Sequence, residues 1–290
     1  EPAEVKAKPT PNLSVLIAAY NCEETIRETV ESAIRAIGEN DEVLVFVDGA
    51  TDGTLGEISN IQDSRFTVHV SKLNVGRSTA RNELVRLAKN DLVAILDCDD
   101  IALSWRFSLT KRLLRKYDVV FGTALIMGGF PKWAPRVLPQ YPISIRTRSV
   151  QYVLPRRNPF VHSTAAFRKS AIPHDICYKN VVAEEYELWM RMALSGKRIF
   201  RTWIPVTIYR RHEKQLSKTP GFYEQGENCA VLKATRELLL EMIGEKPESY
   251  FDVASSRRKL IRKSIKWSPL LVFEELFFHL RKIRPRKLTQ

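Results

Sequence analysis

Short apolar segments alternate with helical patterns along the N-terminal third of the chain, and this alternation constrains the fold more than any other feature. Apolar residues recur at the spacing of an amphipathic helix from Ile26 to Ile37 and from Ala80 to Ala88. Strands that alternate with helices form a mostly parallel sheet with helices on both faces. The sequence therefore predicts an α/β fold, with strands at 13–17, 43–47, 66–70 and 92–96.

Polar residues and glycines follow three of these predicted strands. Ligands of open parallel sheets bind beyond the carboxyl ends of the strands, so these positions are where a site is expected. Tyr20 can stack on a nucleotide base, and Asp48 can accept a hydrogen bond from an imide N–H such as that of uracil. The alternatives are a core or rim aromatic for Tyr20 and turn chemistry for Asp48. The three segments are Ala19-Tyr20-Asn21, Asp48 to Gly53 and Asp97 to Asp100.

The segment Asp97-Cys98-Asp99-Asp100 places three carboxylates where the fourth strand should end. Oxygen ligands of this kind suit Mg²⁺ or Mn²⁺, and alternation along an extended chain puts Asp97 and Asp99 on one side. An acidic turn without any ligand is the alternative, because such turns are common after strands.

A feature that suits an anionic ligand precedes that strand. Asn74 and Gly76 open a predicted helix that carries Arg77 and Arg81, so backbone N–H groups and guanidinium groups would face an anionic ligand together. One of the two arginines could instead be a solvated charge on the helix surface. The pattern suits a diphosphate or its nucleoside.

The net charge of +13 is concentrated at the C-terminus. Residues 255–290 hold eleven Lys and Arg against two Glu, a surplus of +9. A basic surplus indicates an anionic partner such as a nucleotide sugar, an acidic lipid or a nucleic acid. Nucleic acid is disfavoured, because the aromatic run within 264–290 is too apolar to follow phosphates. That segment could lie on an acidic membrane surface, pack on the catalytic domain or mediate dimerisation, so the oligomeric state stays open.

The four cysteines show no spacing typical of a metal site or a disulfide framework, and we expect free thiols in a reducing cytoplasm. No apolar stretch approaches the length of a spanning helix, and residues 1–12 read as a flexible tail. We predict a domain at 13–218 and a helical C-terminal extension at 219–290. The proline-rich stretch 130–160 is either a lid or a packed connection.

Five motifs in order along residues 13–217 resemble the family 2 glycosyltransferases with the nucleotide-diphospho-sugar transferase (GT-A) fold. None is specific alone, but their order is. They are Ser14 to Asn21, Val47 to Thr54, Asn74 to Asn82, Leu96 to Asp100, and Glu184 to Arg191.

The resemblance implies roles for several of these residues. Asp99 would be the direct metal ligand, with Asp97 nearer the ribose or a metal-bound water, and His212 near the metal or diphosphate. Glu184 and Glu185 begin a predicted helix, where a carboxylate is favoured in its ionised form and could accept a proton from a sugar hydroxyl. The family usually has Glu-Asp at these two positions. Here Glu185 replaces the Asp, and its side chain is longer by one methylene, so the assignment of Glu185 as the base assumes that this longer side chain reaches the same hydroxyl. Both could instead be ordinary helix N-terminal acids.

These features together predict a metal-dependent inverting glycosyltransferase, of the hexosyl or N-acetylhexosaminyl type. The donor would be a nucleotide-diphosphate sugar, with UDP favoured, and the acceptor a glycan or lipid-linked hydroxyl in surface polysaccharide or glycolipid synthesis. The protein would be cytoplasmic or peripheral at the inner face of the membrane. The alternatives are a haloacid-dehalogenase-type phosphotransfer enzyme and a non-catalytic nucleotide- or membrane-binding module. A dehydrogenase is disfavoured, because no Gly-x-Gly-x-x-Gly follows the first strand.

Overall fold

The computed structural model describes residues 11–128, 137–139, 144–173, 176–212, 225–226 and 228–245. Within these ranges the strands are β1 (Leu13–Ala19), β2 (Glu42–Asp48), β3 (Phe66–Ser71), β4 (Leu92–Ile95), β5 (Ile101–Ala102), β6 (Val119–Met127), β7 (Val137–Pro139), β8 (Ala166–Arg168) and β9 (Ile199–Arg210). The α-helices are α1 (Ile26–Ala36), α2 (Thr54–Ser59), α3 (Arg77–Leu87), α4 (Arg106–Leu114), α5 (Thr147–Val153), α6 (Glu184–Leu194) and α7 (Ala230–Met242). Short 3-10 helices span His162–Thr164 and Lys169–Ala171.

The strands form one sheet in the order β3-β2-β1-β4-β8-β6-β9-β5, with β7 paired to β6. The first four strands of this order are mutually parallel, β8 is antiparallel to both its neighbours, and β6 and β9 are parallel to each other. The predicted mostly parallel α/β sheet is thus confirmed. Because β1, β2 and β4 are parallel neighbours, the loops that follow them emerge at the same edge of the sheet.

Two hydrophobic clusters pack on opposite faces of this sheet. Leu16 of β1 belongs to the cluster that contains Leu84 of α3 and Trp189 of α6, whereas Ile17 belongs to the cluster that contains Val30 of α1. Successive residues of a strand point to opposite faces, so a strand buried on both faces must be apolar throughout. This explains why β1, β2 and β4 are continuous apolar runs rather than alternating ones.

Helix α7 lies against α6. Its buried residues include Leu232, Leu239 and Leu240, which come to the same side of the helix. The helix lies within the predicted helical extension at 219–290 and ends at Met242, before Gly244, which has a positive φ of 71°. The predicted boundary at 218/219 stays a prediction. Residues 1–10, parts of the stretch 130–160, and the basic segment 264–290 lie outside the described residues.

Candidate active site

The acidic turn after β4 is held from several sides. The backbone N–H of Asp97 donates to the Ser163 hydroxyl at 3.1 Å, and that of Asp100 donates to the Asp97 carbonyl at 3.1 Å. Asp100 is fully buried and accepts a hydrogen bond from the backbone N–H of Arg210 at the end of β9. Burial and the neighbouring carboxylates of Asp99 and Asp97 raise the pKa of Asp100 well above its usual value. Asp100 therefore anchors the turn to β9 and does not face the open side of the site.

Asp99 and His212 face each other across this turn. The imidazole Nε2 of His212 lies 2.7 Å from Asp99 Oδ2, and both side chains are partly exposed. A carboxylate oxygen suits Mn²⁺ or Mg²⁺, whereas an imidazole nitrogen suits softer cations, so this pair of donors favours Mn²⁺ over Mg²⁺. No cluster of three or more such side chains is found in the described part of the chain. A cation here would complete its coordination with water and substrate phosphate oxygens, as Mg²⁺ commonly does. Asp99 and His212 therefore fit a metal site whose remaining ligands would come from water and the substrate.

Asp97 has different partners from that pair. Its Oδ1 lies 3.1 Å from Arg81 Nη2 and 3.2 Å from His162 Nδ1. Burial opposes the charged form, but His162 and the guanidinium groups of Arg81 and Arg77 outweigh it and lower the pKa of Asp97 below its usual value. His162 is in turn fixed by the hydroxyl of Tyr178, 3.1 Å from Nε2. Asp97 is thus held as an oriented carboxylate.

Arg81 joins this carboxylate to the start of α6. Its Nη1 lies 2.6 Å from Glu184 Oε1, while its Nη2 contacts Asp97. Arg77 Nε lies 2.8 Å from the same oxygen of Glu184. Both arginines therefore place positive charge against the carboxylate of Glu184, which is buried. The contact brings the first turns of α3 and α6 together at the edge where β4 ends.

Glu185 differs from Glu184 in exposure. It is partly exposed and accepts no hydrogen bond from the described residues. Ala183, which precedes the helix, has a left-handed backbone with φ 56° and ψ 48°. That conformation costs on the order of 1–2 kcal/mol for a residue with a Cβ atom and is found at sites where the surrounding structure enforces it. The turn of the chain at Ala183 places Glu184 inward and leaves Glu185 facing outward.

The end of β2 meets the turn before α3. Both carboxylate oxygens of Asp48 accept backbone hydrogen bonds, from Val75 at 2.7 Å and from Gly76 at 3.1 Å. In this structure Asp48 organises the turn that opens α3, and its contact with a base stays a prediction. Gly76 has a φ of 87°, which its lack of a Cβ atom allows.

The residues at the end of β1 differ in what they can offer a ligand. Ala19 is buried, so only its backbone could reach a ligand, whereas Tyr20 is 48% exposed. The Asn21 side chain accepts a hydrogen bond from the backbone N–H of Thr51 at 2.9 Å and so links this loop to the loop after β2. Asn21 has a φ of 48°, and within the described ranges it shares a positive φ with only one other non-glycine residue, Ala183. Tyr20 is free to stack on a planar ligand.

Residues 14–174 match the family model described as Glycosyl transferase family 2, which is more than half of the chain. The chain belongs to glycosyltransferase family 2. Among its relatives is the Escherichia coli UDP-Glc:alpha-D-GlcNAc-diphosphoundecaprenol beta-1,3-glucosyltransferase WfaP, 27% identical over 229 residues, or 77% of this chain and 86% of the relative. Another is the putative glycosyltransferase EpsE of Bacillus subtilis, 27% identical over 80% of this chain and 84% of the relative.

Solved structures confirm the predicted GT-A fold of this glycosyltransferase. The crystal structure of S. aureus TarS 1-349 in complex with UDP-GlcNAc superposes with a TM-score of 0.61, covering 87% of this chain and 79% of that one. The two sequences are 18% identical. At this identity the similarity concerns the fold.

The candidate site also contains residues that sequence reasoning missed. His162, Ser163 and Tyr178 all contact the Asp97 turn or each other. The only signal in the sequence is a polar triplet at 162–164 between apolar residues, which does not indicate a partner. The expected groups do come together where the structure describes them: Asp97, Asp99 and His212 at the turn, and Glu184, Arg77 and Arg81 beside it.

Proposed function

We propose that this glycosyltransferase moves a sugar, with inversion, from a UDP-sugar donor to a hydroxyl of a lipid-linked diphosphate acceptor in surface polysaccharide or glycolipid synthesis. The name of WfaP specifies a UDP-Glc donor and a diphosphoundecaprenol-linked acceptor, and AmsE of Erwinia amylovora, 26% identical over 63% of this chain, is an amylovoran biosynthesis glycosyltransferase. The TarS complexes contain UDP-GlcNAc and UDP. These relatives favour a hexosyl or N-acetylhexosaminyl donor.

The contact of Arg81 with both Asp97 and Glu184 is the observation that carries this proposal. It sets the acidic turn, which would hold the donor, beside the helix that supplies the base. Because Glu184 is buried against two arginines, Glu185 is the carboxylate left to accept a proton from the acceptor hydroxyl. A single base that drives attack from the face opposite the leaving diphosphate gives inversion at the anomeric carbon.

Asp99 and His212 would hold the divalent cation. When bound, the cation would neutralise negative charge that builds on the leaving nucleoside diphosphate. Arg77, whose side chain is 42% exposed, would add positive charge beside the diphosphate. Asp97, fixed by Arg81 and His162, would orient the ribose or a metal-bound water. Tyr20 would stack on the base.

The membrane proposal rests on the C-terminal sequence. Residues 264–290 combine an apolar aromatic run with flanking basic residues, which suits an acidic lipid surface at the inner face of the membrane. In the described part of the structure no helix is long and apolar enough to cross a membrane. A peripheral position would bring the site to a lipid-linked acceptor.

The test is turnover with defined donors. The purified full chain is incubated with Mn²⁺, a diphosphate-linked lipid sugar and either UDP-glucose or UDP-GlcNAc, and the product is characterised by mass and by NMR of the new anomeric centre. The proposal expects a product of β configuration from an α-linked donor, lost on addition of EDTA. A product of retained configuration, or turnover unaffected by EDTA, would contradict it.

A further inference from the structure

Two cysteines that the mechanism does not use lie in two neighbouring loops that border the proposed donor site. Cys22 follows Asn21 in the loop after β1, and Cys98 lies between Asp97 and Asp99 in the turn after β4. They are far apart in sequence, but β1 and β4 are parallel neighbours, with Leu16 opposite Ile95. The sheet therefore brings both loops to one edge, which the spacing of the cysteines did not indicate.

Hydrogen bonds from threonine hydroxyls connect the backbones of Cys22 and Cys98. The Thr25 hydroxyl lies 3.3 Å from the carbonyl oxygen of Cys22 and 3.0 Å from that of Cys98. The Thr29 hydroxyl also reaches the Cys98 carbonyl, at 3.0 Å. One hydroxyl thus spans both carbonyls, which keeps the two residues adjacent whatever their side chains do.

The side chains meet as well. Both cysteines are free, partly exposed, and packed against the same hydrophobic cluster. A hydrogen bond that the Cys98 thiol donates to the Cys22 sulfur, together with burial and the carboxylates of Asp99 and Asp97, raises the pKa of Cys98 well above its ordinary value. Cys177 and Cys229 belong to the other cluster, on the opposite face of the sheet.

We propose that Cys22 and Cys98 are a reversible oxidation site, whose disulfide disables donor binding. The loss of donor binding rests on the proposed function, whereas the formation of the disulfide does not. A disulfide needs a sulfur–sulfur distance of about 2.05 Å, which is shorter than a thiol hydrogen bond. Formation of the disulfide would pull on Cys98 and displace the carboxylates of Asp97 and Asp99. It would also link the loop that contains Tyr20 to the acidic turn after β4.

The oxidant is a hydroperoxide. Its O–O bond is cleaved as one thiol becomes a sulfenic acid and the remaining oxygen leaves as water or an alcohol. The second thiol then attacks the sulfenic sulfur, the S–S bond forms, and the hydroxyl leaves with the second thiol's proton as water. Two thiols lose two protons and two electrons in total, and the peroxide accepts them. A dithiol reductant reverses the change by thiol–disulfide exchange.

The test uses the full chain, hydrogen peroxide, and UDP with Mn²⁺ as the binding probe. Peptide mapping without reduction reports whether a linked Cys22–Cys98 peptide forms, with a loss of about 2 Da. Thermal denaturation reports whether UDP still raises the melting temperature. Cys22→Ser and Cys98→Ser are the test variants, and Cys229→Ser is the matched control. Each variant is compared with its own reduced form, so either test variant suffices if the other fails to fold.

We expect the linked peptide in the wild type and in Cys229→Ser, with loss of the UDP-dependent shift and its return on addition of dithiothreitol. In Cys22→Ser and Cys98→Ser, peroxide should leave the UDP-dependent shift in place. Absence of the linked peptide, or a linked protein that responds to UDP like the reduced one, overturns the inference. If the reduced protein does not respond to UDP, the proposed donor is wrong, and the linked peptide alone decides whether the oxidation site exists.

Discussion

At the scale of single residues, Arg81 determines what the two glutamates at the start of α6 can do. Its side chain is nearly buried and contacts Asp97 and Glu184. Burial works against its charge, but Asp97 and Glu184 more than compensate and raise the pKa of Arg81 above its usual value. The sequence marked Glu184 and Glu185 as site residues but could not separate them, because the partner of Glu184 lies 103 residues away.

Substitution of the two glutamates should give opposite phenotypes. Glu185→Gln should lower kcat by about 10²- to 10⁴-fold, the usual contribution of a general base, with the melting temperature and UDP binding close to wild type. Glu184→Gln should lower the free energy of unfolding by about 3 kcal/mol, because it leaves Arg81 buried against fewer negative charges. Steady-state kinetics and urea unfolding measure the two effects. A stable but inactive Glu184→Gln beside an active Glu185→Gln would reverse the assignment of the base.

At the scale of elements, the turn before α3 is built against the end of β2. Gly49 has a φ of 62°, and a Cβ atom placed on it would lie 2.3 Å from the backbone nitrogen of Asn74 and 2.4 Å from the carbonyl carbon of Leu73. Asp48 holds the next two residues of the same turn through its carboxylate. The Asp-Gly pair was recognisable as turn chemistry, whereas the segment that packs on it was not.

Gly49→Ala should therefore lower the free energy of unfolding by about 2 kcal/mol, through both the positive φ and the contact with the turn. It should also weaken UDP binding, since the turn that opens α3 must shift. Gly56→Ala is the matched control, because Gly56 lies in α2, a Cβ atom added there would meet no heavy atom within 4 Å, and alanine is the better helix former. Urea unfolding of both variants measures the difference, and equal stabilities would refute this account of the turn.

The strands differ in how far the sequence could predict them. The expected segments 13–17, 43–47, 66–70 and 92–96 correspond to β1 to β4. Continuous burial on both faces of β1, β2 and β4 leaves apolar runs that can be recognised locally, whereas β3 lies at the edge of the sheet, is only partly buried, and alternates apolar residues with Thr67 and His69. The rest of the sheet has no such signal. Strand β8 has three residues, and β9 pairs with β6 across register shifts near Thr123, with Pro205 within the strand. Their positions depend on long-range pairing, which also brings His162 to Asp97.

At the scale of the whole molecule, the basic C-terminal segment follows the last described helix along the chain. Helix α7 packs on α6, and the surplus of basic residues begins after it. Each Lys or Arg near an acidic lipid surface contributes about 1 kcal/mol, and salt screens this attraction. Charge of this kind favours a surface-bound enzyme over a freely diffusing one.

Liposome flotation tests the membrane proposal. The full chain should float with vesicles that contain acidic lipid, less so at high salt, and not with neutral vesicles. A chain that ends at residue 263 keeps α7 and the residues of the site, and it should stay in the dense fraction. Flotation that is unchanged by the deletion would show that 264–290 is not the membrane contact.

The most direct test of the account is a thermal-shift panel of UDP, GDP, TDP and CMP, each with and without Mn²⁺, on the wild type and Asp99→Asn. A ligand at about 100 times its Kd stabilises the fold by about 2.7 kcal/mol, so a true donor site is measurable. The account predicts that UDP stabilises the wild type only with the metal and that Asp99→Asn loses this response. Equal stabilisation without metal, an unaffected Asp99→Asn, or no response to any nucleotide would contradict it.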